Sequence, residues 1–268
     1  MIRRARDLYQ YRELIKNLVL RNLKVRYKNS VFGVLWSLLN PLLMTLVFTM
    51  VFTVMIRSDI YQFPVFFMCG FLSWVFFATS LTAATGSIVN NAGLIKKVYF
   101  PREILPIVEV LSNLVNFLLA LLVLFAMLFI FGFGLKPAVL MLPFIILTQV
   151  IFTIGMGFIL ATANVYYRDT QHILEVLLQA WFFLTPIFYS ITILPERAMI
   201  LGIPIDVRLW IRRANPMASL VASYQDALYW GTPTGLDFFL RTLLTCLVVL
   251  VVGYAVFCRF SHAFGEEV

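Results

Sequence analysis

A chain of 268 residues with 62 % hydrophobic and 13 % charged side chains departs from water-soluble domains, which are about half apolar and a quarter charged. Together with a mean hydropathy of +0.92, this excludes a soluble globular enzyme, a disordered tail and a disulfide-stapled secreted domain. The net charge of +8 fits a membrane-orienting flank better than nucleic-acid binding, because nine of the 21 Lys and Arg residues fall within positions 1–28, beside the first long apolar run.

That flank is itself patterned. At about 100° per residue, Leu8, Tyr11, Leu14, Ile15, Leu18, Val19 and Val25 share one arc, and Arg12, Lys16, Arg21, Lys24 and Lys28 take the other. Leu20, Leu23 and Arg26 break the pattern. It predicts a helix lying in the membrane interface, its basic face toward anionic headgroups. The flank and the apolar run after it are both too long for a cleavable signal peptide.

A bilayer core takes about 20 apolar residues of helix. Six runs qualify: 31–56, 63–89, 104–133, 138–167, 173–194 and 238–259. Pro41, Pro64, Pro106, Pro143 and Pro186 lie within them, which spans tolerate where neighbours satisfy the freed carbonyl. Six crossings put both termini on one side. With the N-terminus cytoplasmic, inner segments hold 14 Lys and Arg against seven outside, so both termini are expected inside. Four arginines in the outer segment 195–236 run against this trend. Within that segment, 199–211 and 217–230 are apolar but too short to cross, and Asn215-Pro216 separates them. They predict two short half-inserted helices at the outer surface.

The expected fold is an all-α integral membrane protein of one domain. It comprises an interface helix (1–30), five spans with an inner segment at 90–103 (31–194), an outer gate-like segment (195–236), and the last span with its tail (237–268).

Cys69, Cys246 and Cys258 lie in apolar runs without paired spacing, and His172 and His262 are the only histidines. No metal or thiol site is expected. The chain has no GxxxxGK[ST], GxSxG or HExxH motif, so it is expected to have no catalytic site and to bind no cofactor itself. Only Glu109 and Glu175 are candidates for the embedded ionisable groups that ion-driven transporters use. A separate ATP-driven motor is the expected energy source. Two polar stripes, Glu109, Asn113 and Asn116 and then Gln171, Glu175 and Gln179, follow helical spacing. Pore lining and inter-helix hydrogen bonding both remain open for them.

The inner segment contains Leu94, Ile95, Lys96, Lys97, Val98, Tyr99, Phe100 and Pro101. Gly93 and Pro101 bracket about two helical turns. Apolar residues presented to the cytosol need cover, so the stub is either a docking knob for a cytoplasmic partner or a loop resting on lipid.

LKVRYKNSVFGVLWSLLNP from Leu23 to Pro41, LIKKVYFPREILP from Leu94 to Pro106, NVYYRD from Asn164 to Asp169, LTPIFYS from Leu184 to Ser190, and Asn215-Pro216 together resemble, in order, type-2 ABC exporter permeases of the bacterial polysaccharide class. The resemblance implies a homodimeric pore above two copies of a cytoplasmic ATPase that binds ATP and Mg. It places residues 94–101 in a groove of that ATPase. It places Arg21, Lys24, Arg26, Tyr27 and Lys28 on the substrate-loading side, where they could meet a lipid pyrophosphate. Trp74, Phe77, Trp181, Phe183, Phe188, Tyr189 and Glu175 become channel-lining candidates, the rings being suited to stack on sugars. The implied cargo is a polyprenyl-linked polysaccharide of O-antigen or teichoic acid type, carried across a bacterial inner membrane. Export of small lipophilic molecules or antibiotics is the alternative.

Overall fold

Long apolar stretches in hydrocarbon must satisfy their backbone internally, so helices dominate. A computed structural model describes residues 10–28, 32–56, 59–98, 100–193, 198–200 and 203–268. Helix α1 (Arg12–Tyr27) leads to α2 (Trp36–Thr49), which one π turn extends to Met55. Helix α3 (Phe63–Asn90) begins after Gln62, whose φ of 48° is left-handed, and Pro64 occupies its first turn. The stub α4 (Ala92–Lys97) precedes α5 (Ile104–Ile130) and α6 (Leu142–Tyr166). Helix α7 (Thr170–Phe183) is followed by the hairpin strands β1 (Ala198–Ile200) and β2 (Ile203–Ile205). Helices α8 (Val207–Ala214), α9 (Pro216–Gln225), α10 (Leu236–Phe260) and α11 (Phe264–Glu267) complete the chain.

Among the described residues, five helices are long and apolar enough to cross a membrane, rather than six. The run expected to span 173–194 forms only the 14 helical residues of α7, about 21 Å against a hydrocarbon core of about 30 Å. Pro186 ends it, having no N–H and disfavouring helix in the residue before it. Beyond α7 the non-helical backbone finds polar partners in the segment that follows. Asn215 Nδ2 donates to the Leu184 carbonyl at 3.4 Å, and Gln225 Nε2 donates to the Pro186 carbonyl at 3.2 Å. Non-helical backbone at membrane depth survives where protein covers it in this way.

The segment 195–236, expected to hold two short half-inserted helices, contains the short helices α8 and α9. The stretch before α8, expected to be helical from 199, instead opens with the hairpin, in which Met199 faces Pro204. Ile203 and Ile205 are β-branched and Pro204 has no donor, so strand outcompetes helix there. Helix α9 is buried along most of its length against α3. Tyr224 Oη donates to Gln149 Oε1 of α6 at 2.7 Å, and Gln149 Nε2 donates to the Ser73 carbonyl of α3 at 2.7 Å.

Central α3 packs on α5, α6 and α9, and α6 packs along α10. A second apolar cluster joins Leu18 of α1, Ile88, Phe100, Ile104, Phe158, Val165, Phe257 and Phe264. Thus α1 and α11 meet the bundle at the same end, which also carries the 91–103 connection. This end is called the terminal end below, and the opposite one the far end.

Candidate functional site

At the terminal end the expected stub is present. Helix α4 stops where Val98 turns extended, and Pro101 starts the return into α5. Its apolar residues do not all face outward. Phe100 is buried, and Leu94 and Ile95 are half-buried against the cluster that holds Phe264. Lys96, Lys97 and Val98 are the exposed part. The knob expected from the sequence is therefore smaller and more basic, because the tertiary core has taken its largest ring. Tyr99 and Leu8 lie outside the described residues. Beside the stub lies a cavity of about 570 Å³, walled by Tyr11, Lys96, Lys97, Arg102, Tyr254 and His262. Arg102 Nη1 donates to the Ser261 carbonyl, tying the end of α10 to the stub's return strand.

Helix α1 lies over the start of α5. Asn22 Nδ2 donates to Glu109 Oε1 at 2.9 Å, and Arg26 Nη1 donates to Asn113 Oδ1 at 2.7 Å. Arg21 Nη2 reaches Asn91 Oδ1 at 3.5 Å. The Glu109–Asn113 stripe is thus occupied by inter-helix hydrogen bonds. Arg26 turns to the bundle in place of Val25, which is 65 % exposed and leaves the apolar arc predicted for it. The basic residues assigned to the loading side, Arg21, Lys24, Arg26 and Lys28, are all exposed, and Arg21 and Arg26 also hydrogen-bond across to Asn91 and Asn113. The side chain of Tyr27 lies outside the described residues. Sequence reasoning missed Asn22. Its signal was a place four residues before Arg26, where the apolar arc breaks.

The aromatic candidates separate into two groups. Trp74 and Phe77 are 6 % and 0 % exposed and belong to the core. They hold Trp181, with ring centroids at 6.3 and 5.2 Å, and Trp181 Nε1 donates to Asn215 Oδ1 at 2.8 Å. Packing against these rings withdraws Trp74 and Phe77 from the surface of the chain. Phe183 is 57 % exposed, while Phe188 and Tyr189 are half-exposed. Ring contacts continue to α2, with Phe48–Phe182 at 6.1 Å and Phe52–Phe188 at 5.3 Å.

Helix α7 buries only Leu174 and Leu178. Glu175, Gln179 and Phe183 follow i, i+4, i+8 spacing and all face outward. Glu175 lies 3.9 Å from the exposed His172, and Gln179 has no hydrogen-bond partner among the described residues. This stripe, unlike that of Glu109, is not consumed inside the protomer. Glu175, Gln179 and Phe183 thus present one polar–aromatic face outward. Among the described residues, no group of three His, Cys, Asp or Glu is placed to hold a metal.

Known proteins with similar sequences place this architecture. The family profile described as ABC-2 type transporter matches residues 13–229. The O-antigen export system permease protein RfbA of Myxococcus xanthus is 37 % identical over 268 residues, covering 100 % of both chains. A protein of the same name from Klebsiella pneumoniae is 32 % identical, covering 92 % of this chain and 91 % of its own. More distantly, the polysialic acid transport protein KpsM of Escherichia coli is 22 % identical over 91 % of this chain and 92 % of its own. With five span-length helices among the described residues and a family match across most of its length, the chain belongs to the ABC-2 type transporter family of membrane permeases.

Proposed function

We propose that this chain is the membrane permease of an ATP-driven exporter that carries a lipid-linked cell-surface polysaccharide, of the O-antigen kind, across the bacterial inner membrane. The observation that carries this reading is the outward stripe of Glu175, Gln179 and Phe183 on α7, continued by Phe188 and Tyr189. A polar–aromatic wall at membrane depth suits a sugar chain. Ring faces meet sugar C–H surfaces, and amide and carboxylate groups meet hydroxyls without demanding a sequence. A second copy facing this wall closes a conduit that one protomer leaves open. The names of the relatives, O-antigen export and polysialic acid transport, concern polysaccharides. They favour that cargo over small lipophilic molecules.

The terminal end is cytoplasmic in this proposal, in keeping with its excess of Lys and Arg. Lys96, Lys97 and Val98 of the stub dock on a separate ATPase, which binds ATP and Mg. Exposed Lys24 and Lys28 face the lipid phosphates where substrate loads. The chain contributes no catalytic group of its own. Its work is positional: it converts movement of the ATPase at α4 into movement of α5 and α1.

The deciding experiment is conditional depletion in the native host, followed by locating the lipid-linked glycan. Build-up of polyprenyl-linked polymer on the cytoplasmic face with loss of surface glycan is expected. Unchanged surface glycan would overturn the reading. Separately, replacing exposed Lys96, Lys97 and Val98 by Gly or Ser is expected to abolish recovery of the ATPase with the permease while the helical spectrum stays intact. Stoichiometric recovery would remove the docking assignment.

A further inference from the structure

The far end carries a charge arrangement that membrane orientation does not explain. Arginines on that side run against the charge bias that sets topology, yet they are gathered rather than scattered. The guanidinium carbon of Arg212, in α8, lies 5.8 Å from the ring centroid of Phe238, and that of Arg241, in α10, lies 5.4 Å from the same centroid. One aromatic ring thus holds two cations from two different helices. Both arginines and the adjacent Arg213 are exposed. Neither guanidinium has a carboxylate within ion-pair distance among the described residues. Asp226, half-buried, is attracted to Arg212 through space, and exposed Asp206 and Asp237 lie at the starts of α8 and α10. Exposed Trp210 and Trp230 mark the same end, as tryptophans do at headgroup level.

Two like charges on one ring repel unless something anionic joins them. The ring's negative faces offset part of that repulsion and fix where the guanidiniums stand. Their N–H forks remain free for oxyanions, which arginine engages in bidentate fashion. The position of α8 is fixed too, since Ser219 Oγ donates to the Arg212 carbonyl at 2.6 Å.

We propose that Arg212 and Arg241, held on Phe238, form a clamp at the far end of the bundle for the diphosphate headgroup of a membrane lipid. Two cations match two adjacent phosphate charges better than the single charge of an ordinary phospholipid. Under the export reading this is the face from which lipid-linked polymer leaves, and the clamp would hold its headgroup after crossing. The assignment of that cargo rests on the export reading, whereas the clamp rests on the geometry.

The test uses the full-length chain in phosphatidylcholine nanodiscs, titrated with undecaprenyl diphosphate and, separately, with phosphatidylglycerol. Arg212→Gln with Arg241→Gln is expected to weaken diphosphate binding by about tenfold or more and to leave phosphatidylglycerol binding nearly unchanged. Phe238→Leu keeps both charges and removes the ring, and is expected to weaken binding by about threefold. A charge-matched Arg168→Gln with Arg259→Gln variant at the terminal end is expected to leave the affinity within about twofold. Circular dichroism and elution volume matching the parent protein establish that each variant is folded. Unchanged diphosphate affinity in the Arg212, Arg241 variant overturns the clamp. Equal weakening for phosphatidylglycerol overturns the diphosphate assignment. If surface glycan survives depletion of the chain while diphosphate binding still depends on both arginines, the clamp stands and the export reading falls.

Discussion

Glu109 shows how a single carboxylate is accommodated in apolar surroundings. It lies near the start of α5, and its Oε1 accepts from Asn22 at 2.9 Å. Arg26 is anchored one turn further along, on Asn113. Removing one partner of a buried hydrogen bond to a charge leaves the other stranded, which is worse than removing both. Asn22→Leu is therefore expected to lower stability by about 1–3 kcal/mol. Adding Glu109→Leu recovers part of that loss, so the double-mutant cycle is non-additive. Thermal unfolding in detergent micelles checks this, and purely additive losses would mean that the two side chains do not couple.

Among elements, the tightest pairing is α6 on α10, and two glycines permit it. A Cβ at Gly155 would stand 2.7 Å from Leu250 Cα, and one at Gly253 would run into the Gly155 carbonyl. In lipid, helices associate by close packing because there is no water to escape, so small residues mark the contact. Gly253→Ala is expected to force the two backbones apart and to cost about 1–3 kcal/mol, visible as a lower unfolding temperature. The same substitution at Gly93, where nothing lies within 4 Å, is expected to be nearly silent. Helix α7 illustrates the opposite case, an element cut short. Pro186 stops the helix, and Asn215 and Gln225 of the inserted segment take up the carbonyls it frees.

At the scale of the whole molecule, the outward polar face of α7 separates function from stability. Glu175 and Gln179 contribute little packing, so Glu175→Leu with Gln179→Leu is expected to shift protomer stability by no more than about 0.5 kcal/mol. Export of the lipid-linked polymer is expected to fall in the same variant. Immunodetection of surface glycan beside a melting curve checks both halves. Normal glycan would remove α7 from the translocation wall.

The membrane class, four of the five span-length helices to within four residues at each end, the helix α1 and the position of the stub were legible in one dimension. They depend on local composition and period: apolar length against bilayer thickness, the arc of α1, and Gly93 and Pro101 as punctuation. The truncation of α7 was not legible, because Pro186 sits in a run apolar enough to cross, and only its covering by α9 shows how the backbone manages without helix. The two polar stripes look alike in sequence, each a carboxylate with amides at helical spacing. Tertiary structure alone assigns Glu109 to a hydrogen bond with Asn22 and leaves Glu175 facing outward, because burial depends on partners 87 residues away. For the same reason Trp74, Phe77 and Phe100 read as surface candidates in the chain and stand in the core of the fold. Hydrophobicity says that a ring leaves water, and only packing decides whether it meets lipid, protein or a passing sugar.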